Sequence, residues 1–283
     1  MDDVIGAFEP ELSKADVKRA TRFMAKSRKK DSVHEVGKLA ESDGNGGLRI
    51  KAQHPVIIPH RDFPPEAAEA IAAVLEGGLQ AYLDSLPAYR ADFLQRFTVV
   101  DSAIKVVGVG SVGTRCWILL LQGKGTGEPF FLQLKEAGQS VLADHLPGPD
   151  WSDQGERVVV GQRRMQAVGD SFLGWFTSPG SGRNYYVRQF KDMKGSFDID
   201  TADEGGLRRY AETCGYTLAR AHARTGDRFA VAGYLGAGKT ADRAFADFAV
   251  AYADQNESDY AAFSEAIESG RLASVDDERT VTG

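Results

Sequence analysis

Short apolar runs separated by glycine-rich turns dominate the middle of the chain. Ile104–Val107, Cys116–Leu121 and a third run ending in Lys135–Glu136 are rich in β-branched, aromatic and aliphatic residues. Such runs, bounded by glycine, predict strands. Phe97–Val100 predicts a strand before them, and Phe172–Thr177 with Asn184–Phe190 predicts a later hairpin.

Apolar positions at helical spacing flank these strands. One stripe begins after Pro64–Pro65 and continues across Gly77–Gly78, so it predicts a helix that packs against the sheet. Further helices are predicted at Gln154–Val168, at Leu207–Arg224 and from Ala241 to Ala253.

These elements predict an α+β protein with a mainly antiparallel sheet from about Phe97 to Phe190. We expect the helix near 154–168 to pack on that sheet and a helical C-terminal part to begin near Leu207. The predicted organisation has four parts: a basic N-terminal arm and linker (1–46), a β-rich lobe with a preceding helix (47–205), a helical part (206–273) and a disordered acidic tail (274–283).

A glycine-spaced loop, Gly108-Val-Gly110-Ser111-Val-Gly113, joins the first two central runs. Glycines let the backbone approach an anion closely and point N–H groups at it. The dinucleotide fingerprint of the same spacing needs a helix after the glycines, whereas a strand is predicted here. Two strands around a glycine loop, followed by a strand that carries a lysine, resemble a protein-kinase nucleotide site. Lys135 would then pair with phosphates, although a plain hairpin with glycines at a bulge remains open.

Glu156 is the candidate partner for that lysine. In kinase-type sites a helix after the lysine strand supplies a glutamate that holds the lysine. Glu156 lies in the first turn of the predicted helix. An acidic residue at that position also stabilises the helix dipole, so both roles stay open.

A second phosphate-binding pattern lies at Gly233–Thr240, which satisfies GxxxxGK[ST] letter for letter. A P-loop would place Lys239 and Thr240 on phosphate and magnesium, and it requires a parallel strand ending at Ala232. The residues after Thr240 are too few and too helical for such a domain, so we interpret the match as coincidence.

Composition narrows the classes of partner. The 283 residues are 42% hydrophobic with a net charge of −6, which predicts a globular protein and argues against a nucleic-acid binder. The chain has no apolar run of about 18 residues and no secretion-signal pattern at its start, so we expect a cytoplasmic protein without a membrane span. Cys116 and Cys214 are predicted to be small buried hydrophobic residues, and the five histidines form no metal-ligand pattern.

Several longer stretches carry a family resemblance. They are Lys105–Arg115, Phe131–Ala137, Arg157–Arg163, Tyr186–Ser196, Leu218–Arg224 and Asp247–Gln255. Together they resemble the uncharacterised bacterial family known as domain of unknown function 2252, from about Asp31 to about Phe263. The resemblance implies a kinase-like lobe in which Gly108, Gly110, Ser111, Gly113, Lys135 and Glu156 bind ATP, with Mg²⁺ entering only with the nucleotide.

The same resemblance implies that two motifs are missing. Family members carry a Gly-Asp-x-His-x-x-Asn loop and an Asp-Phe-Asp segment, which resemble a catalytic loop and a metal-holding motif. Neither occurs in these 283 residues. We therefore expect a kinase-like ATP-binding protein or fragment that is catalytically incomplete, with no catalytic residue assigned. A separate chain that supplies the motifs, and a non-enzymatic interaction module of the same fold, are the open alternatives.

Overall fold

The predicted strands pair into antiparallel sheets in this computed structural model, which describes residues 21, 25, 37–108, 113–125, 127–190 and 197–273. A two-stranded hairpin precedes a six-stranded sheet with the order β3-β4-β5-β6-β8-β7. The strands are β1 (Ala40–Ser42), β2 (Leu48–Ile50), β3 (Ile57–Pro59), β4 (Phe97–Lys105), β5 (Cys116–Gly123), β6 (Pro129–Glu136), β7 (Gly174–Thr177) and β8 (Asn184–Gln189).

Six helices and one 3₁₀ turn lie wholly within the described residues. They are the 3₁₀ turn His60–Asp62, α1 (Pro65–Asp84), α2 (Ala88–Leu94), α3 (Gln154–Met165), α4 (Glu204–Thr225), α5 (Arg228–Leu235) and α6 (Thr240–Glu268). The α+β class, the antiparallel sheet and the helical C-terminal part are confirmed. None of the described helices is both long and apolar enough to cross a membrane.

The chain divides into two compact units, Met1–Thr225 and Gly226–Gly283. The first unit contains both sheets and α1 to α4. The second contains α5 and α6.

One face of the main sheet packs against α1 and α2. The predicted stripe of α1 enters this core through Tyr82 and Leu83, which contact side chains of β5 and β6 such as Leu119 and Leu132. Gly78 lies directly against the Phe176 ring, where a Cβ would overlap the ring. The glycine pair inside α1 therefore allows close helix–sheet packing, and the helix continues through it.

The opposite face is covered only in part. Ile118, Leu120 and Phe131 form a second core cluster with residues of the β1–β2 hairpin, including Ile50. Because alternate residues of a strand share a face, Gln133 and Lys135 of β6 lie on the same face as Phe131. The apolar cover thus ends before Lys135, which is half-buried.

The region predicted as two strand pieces around Asp101 is one strand. β4 runs unbroken from Phe97 to Lys105, with a bulge between Val99 and Asp101. Asp101 and Ser102 are polar residues that are buried within the strand. The cost of burying the Asp101 carboxylate is offset because it accepts hydrogen bonds from the Ile50 amide and from Arg61. A buried carboxylate with such partners does not interrupt a strand.

The P-loop alternative is wrong for the segment around Gly233. Residues 229–232 belong to helix α5, where a P-loop requires a strand. The local cause is Asp227, whose carboxylate accepts hydrogen bonds from the Phe229 amide at 2.9 Å and the Ala230 amide at 3.0 Å and so begins the helix.

One cysteine prediction also fails. Cys116 is buried as expected, whereas Cys214 on α4 is exposed. The apolar stripe of α4 is largely exposed too, with Leu218 at 57%. Helical periodicity identified the apolar side of α4 but could not show what covers it.

Two predicted features lie wholly or mostly outside the described residues. They are the basic N-terminal arm, of which only residues 21, 25 and those from 37 onward are described, and the acidic tail from Ser274.

Candidate functional site

A row of four side chains crosses the incompletely covered face of the sheet. Cys116 of β5 is paired with Lys135 of β6, Lys135 with Tyr186 of β8, and Tyr186 with Trp175 of β7. Residues paired across neighbouring strands share a face. Arg188 belongs to the next row on this face, because it is paired with Gln133.

The row lies in a positive field. Burial raises the pKa of the Cys116 thiol, and three nearby cations oppose that rise, Lys135 most strongly, followed by Lys105 and Arg188. Burial also raises the pKa of the Tyr186 hydroxyl, and the Arg188 guanidinium opposes it. Three cations close to one another on a partly covered face favour an anionic ligand.

Two of these cations lack a protein partner. Among the described residues, neither Lys135 nor Arg188 forms an ion pair or a side-chain hydrogen bond. The Arg188 Nε atom is buried without an acceptor. A buried guanidinium nitrogen without an acceptor is costly, so this position is suited to an anion supplied from outside the chain.

The glycine loop begins and ends beside this row. Lys105 is the last residue of β4 and Cys116 is the first of β5, so the loop between them emerges at the edge nearest Lys135. Gly108 and Gly113 are exposed, and Gly113 has φ of 85°, a conformation that favours glycine. Gly110 and Ser111 lie outside the described residues.

Helix α3 packs on the two strands beyond Lys135. The Arg163 guanidinium lies 5.7 Å from the centre of the Trp175 ring, a side chain on the Lys135 face, and Arg163 donates to the Leu173 carbonyl at 2.6 Å. Asp153 caps the helix by accepting from the Glu156 amide at 3.0 Å, and it also accepts from the Thr177 hydroxyl at 2.6 Å. The start of α3 is therefore fixed to the hairpin β7–β8.

Glu156 is half-buried in the first turn of α3 and is not paired with Lys135 in the described structure. Neither partner forms another ion pair among the described residues. The neighbouring Gly155 is buried against the backbone carbonyl of Tyr185, so that the helix rests directly on β8. The structure therefore shows Glu156 in the first turn of α3 and shows no contact between it and Lys135.

Glu136, the residue after Lys135, does form ion pairs. It pairs with Arg115 at 3.1 Å and with Arg183 at 3.2 Å. Alternation along the strand places Glu136 on the other face from Lys135. The acid adjacent in sequence therefore does not neutralise the site.

Sequence reasoning missed a polar cluster in the middle of β4. Asp101 is 5% exposed and contacts Arg61 at 2.6 Å, the Ile50 amide at 2.7 Å and His60 Nδ1 at 3.2 Å. His60 Nδ1 also lies 3.2 Å from the Ser102 hydroxyl. A Ser-His-Asp triad needs serine and aspartate on different imidazole nitrogens, so this arrangement is not a triad. The only hint in the sequence was an acidic residue within an apolar strand.

A cavity of about 360 Å³ lies on the other face of the sheet. Its lining is mainly apolar and includes Leu83, Phe97 and Leu121. These residues belong to the core beneath α1 and α2, so the cavity is separate from the row around Lys135. The described residues also contain no group of three or more His, Cys, Asp or Glu side chains placed to hold a metal ion.

A family model described as "uncharacterized protein conserved in bacteria (DUF2252)" matches residues 3–266. The chain belongs to the DUF2252 family. The match includes β4, β5 and β6 with Lys135, and it extends through most of α6. Searches of curated proteins and of solved structures found no match. The family description assigns no reaction, so the function of this DUF2252 chain is argued from its own residues.

Proposed function

We propose that this DUF2252 protein is a kinase-like nucleotide-binding protein that grips the phosphates of ATP between the glycine loop and Lys135. The observation that carries the proposal is the unpaired cationic face formed by Lys135 and Arg188 beside the loop. Phosphate oxygens are the acceptors that such side chains bind most strongly.

The order of elements supports a kinase-like arrangement. A glycine loop joins two antiparallel strands, the third strand carries Lys135, and a helix that starts with Glu156 in its first turn follows before the next hairpin. In protein kinases the loop covers the phosphates, the lysine of the third strand binds them, and a glutamate of the following helix holds that lysine. We propose that Glu156 forms this ion pair when nucleotide binds.

Phosphoryl transfer would need more than these residues. A kinase-type reaction requires an aspartate that accepts the proton of the attacking hydroxyl and a second group that holds Mg²⁺. The motifs with which the family is expected to supply them are absent from this sequence. We propose that these 283 residues bind nucleotide, and that the motifs for phosphoryl transfer would have to come from outside them.

Calorimetric titration with ATP and Mg²⁺ tests the proposal. We expect saturable binding to the wild type and about 30-fold weaker binding to Lys135→Met, since a charge-assisted hydrogen bond contributes about 2 kcal/mol. Lys124→Met is the matched control, because Lys124 lies at the other end of β5 and donates to the Gln95 carbonyl at 2.9 Å. Equal affinities for all three proteins, or no binding by the wild type, would refute the assignment.

A non-enzymatic interaction module is the second candidate function. The observation that favours it is the large number of exposed aromatic side chains on the C-terminal helices, among them Phe229, Tyr234 and Tyr260. Exposed apolar surfaces of this kind mark sites of protein association.

A further inference from the structure

Helix α6 is amphipathic, and its apolar side is exposed. Five aromatic residues lie on that side, and 53–71% of each is exposed. We call them the aromatic stripe: Phe245, Phe248, Tyr252, Tyr260 and Phe263. At 100° per residue they span about 120° of the helix circumference. The opposite side carries acidic residues such as Asp247, Asp254 and Glu265, while Asp259 and Asn256 lie on the same side as the stripe.

Four of the five residues of the stripe are arranged symmetrically along the helix, and the fifth, Tyr252, has Asn256 at its mirror position. Phe245 and Phe263 each lie nine residues from Asp254, Phe248 and Tyr260 each lie six residues from it, and Tyr252 and Asn256 each lie two. The helix axis from Phe245 to Phe263 is about 27 Å long at 1.5 Å per residue. An antiparallel copy of α6 would therefore place Phe248 opposite Tyr260 and Phe245 opposite Phe263. Each of these contacts would form twice, with the roles of the two copies exchanged.

We propose that α6 is a homodimerisation helix that pairs antiparallel with α6 of a second copy of this chain. A two-fold axis near residue 254 makes the contact isologous, because both copies use the same surface and each residue contacts the residue at the mirror position of the other copy. A heterologous partner would not require this symmetry of the stripe.

The area of the stripe is consistent with a stable dimer. Aromatic side chains bury about 150–250 Å² each when fully covered. Multiplied by the exposed fractions of the five residues, this gives about 600 Å² of area that one stripe could bury. Two facing stripes could bury about 1,200 Å², which is the lower limit of specific interfaces. The stacking of Phe248 on Tyr252, with ring centres 5.6 Å apart, holds part of this surface in place.

Size-exclusion chromatography with light scattering tests the pairing on the whole chain. We expect a mass of about twice 30.6 kDa for the wild type. Phe248→Asp and Tyr260→Lys should each weaken the dimer by about 30-fold, as removal of a central aromatic contact does. Val250→Asp is the matched control, since it adds the same charge to an exposed position about 140° from the centre of the stripe.

Mixing the Phe248→Asp and Tyr260→Lys variants tests the register itself. In a mixed dimer the introduced carboxylate of one copy faces the introduced ammonium group of the other. The second contact is still between Phe248 and Tyr260, because each variant keeps one of these two residues. Association should therefore return. Circular dichroism on each variant shows whether it has kept its helices. A monomeric wild type, or folded variants that fail to associate when mixed, would overturn the proposal and assign the stripe to another partner.

Discussion

Asp101→Ala should lower the free energy of unfolding of the sheet-containing unit by about 3 kcal/mol, because it removes a buried carboxylate that accepts hydrogen bonds from a buried amide and from the partly exposed Arg61. Asp101 is buried and receives hydrogen bonds from Arg61 and the Ile50 amide. Its removal leaves the Ile50 N–H without an acceptor inside the core, and it leaves the Arg61 guanidinium with only the Asp62 carboxylate, 4.0 Å away, as a counterion. Urea unfolding followed by circular dichroism gives the change.

Asp92→Asn is the control for that experiment, because Asp92 is exposed on α2. A surface change of this kind should stay within about 0.5 kcal/mol. Similar stabilities of Asp101→Ala and Asp92→Asn would mean that the polar cluster does not hold β4 to the N-terminal hairpin.

Gly155→Ala should destabilise the protein by about 3 kcal/mol, near the upper end of the cost of overpacking. A Cβ at this position would collide with the Tyr185 carbonyl group, and the carbonyl carbon would lie only 2.9 Å from that Cβ. The obstacle is backbone of β8, which cannot rotate aside as a side chain can, so α3 must shift. The neighbouring Glu156 would shift with it, and ATP affinity should fall as well as stability.

Gly161 provides a matched control on the same helix. A Cβ there meets nothing within 4 Å. Gly161→Ala should therefore stabilise the protein by about 0.5–1 kcal/mol through helix propensity. Thermal melts of both variants decide the question, and equal melting temperatures would contradict the packing of α3 on β8.

The sequence predicted what is local. The strand runs, the helix after Pro64–Pro65 and the helix beginning at Gln154 follow from periodicity and from glycine and proline positions, and the structure confirms them. The glycine loop and Lys135 were candidates because both stand in one continuous stretch. Their neighbours Cys116 and Arg188 were not, because strand register brings them to Lys135 and a single sequence does not fix register.

Non-local partners explain what was missed. Asp101 looked like an interruption of a strand, since its partners Arg61 and Ile50 lie 40 and 51 residues away in the chain. The Gly233–Thr240 pattern matched a motif in letters alone, while capping by Asp227 made the preceding segment helical. Periodicity showed that α4 has an apolar side but could not show that Cys214 is exposed.

The most direct test of the central claim is to label the protein with an acyl phosphate of ATP and to map the modified lysine by mass spectrometry. In this reaction the amine of a lysine near the terminal phosphate attacks the acyl carbon, an amide forms and ATP is released. We predict that Lys135 is acylated and that excess ATP with Mg²⁺ protects it. Labelling of other lysines with Lys135 unmodified, or labelling of Lys135 that ATP does not reduce, would contradict a nucleotide site on this face of the sheet.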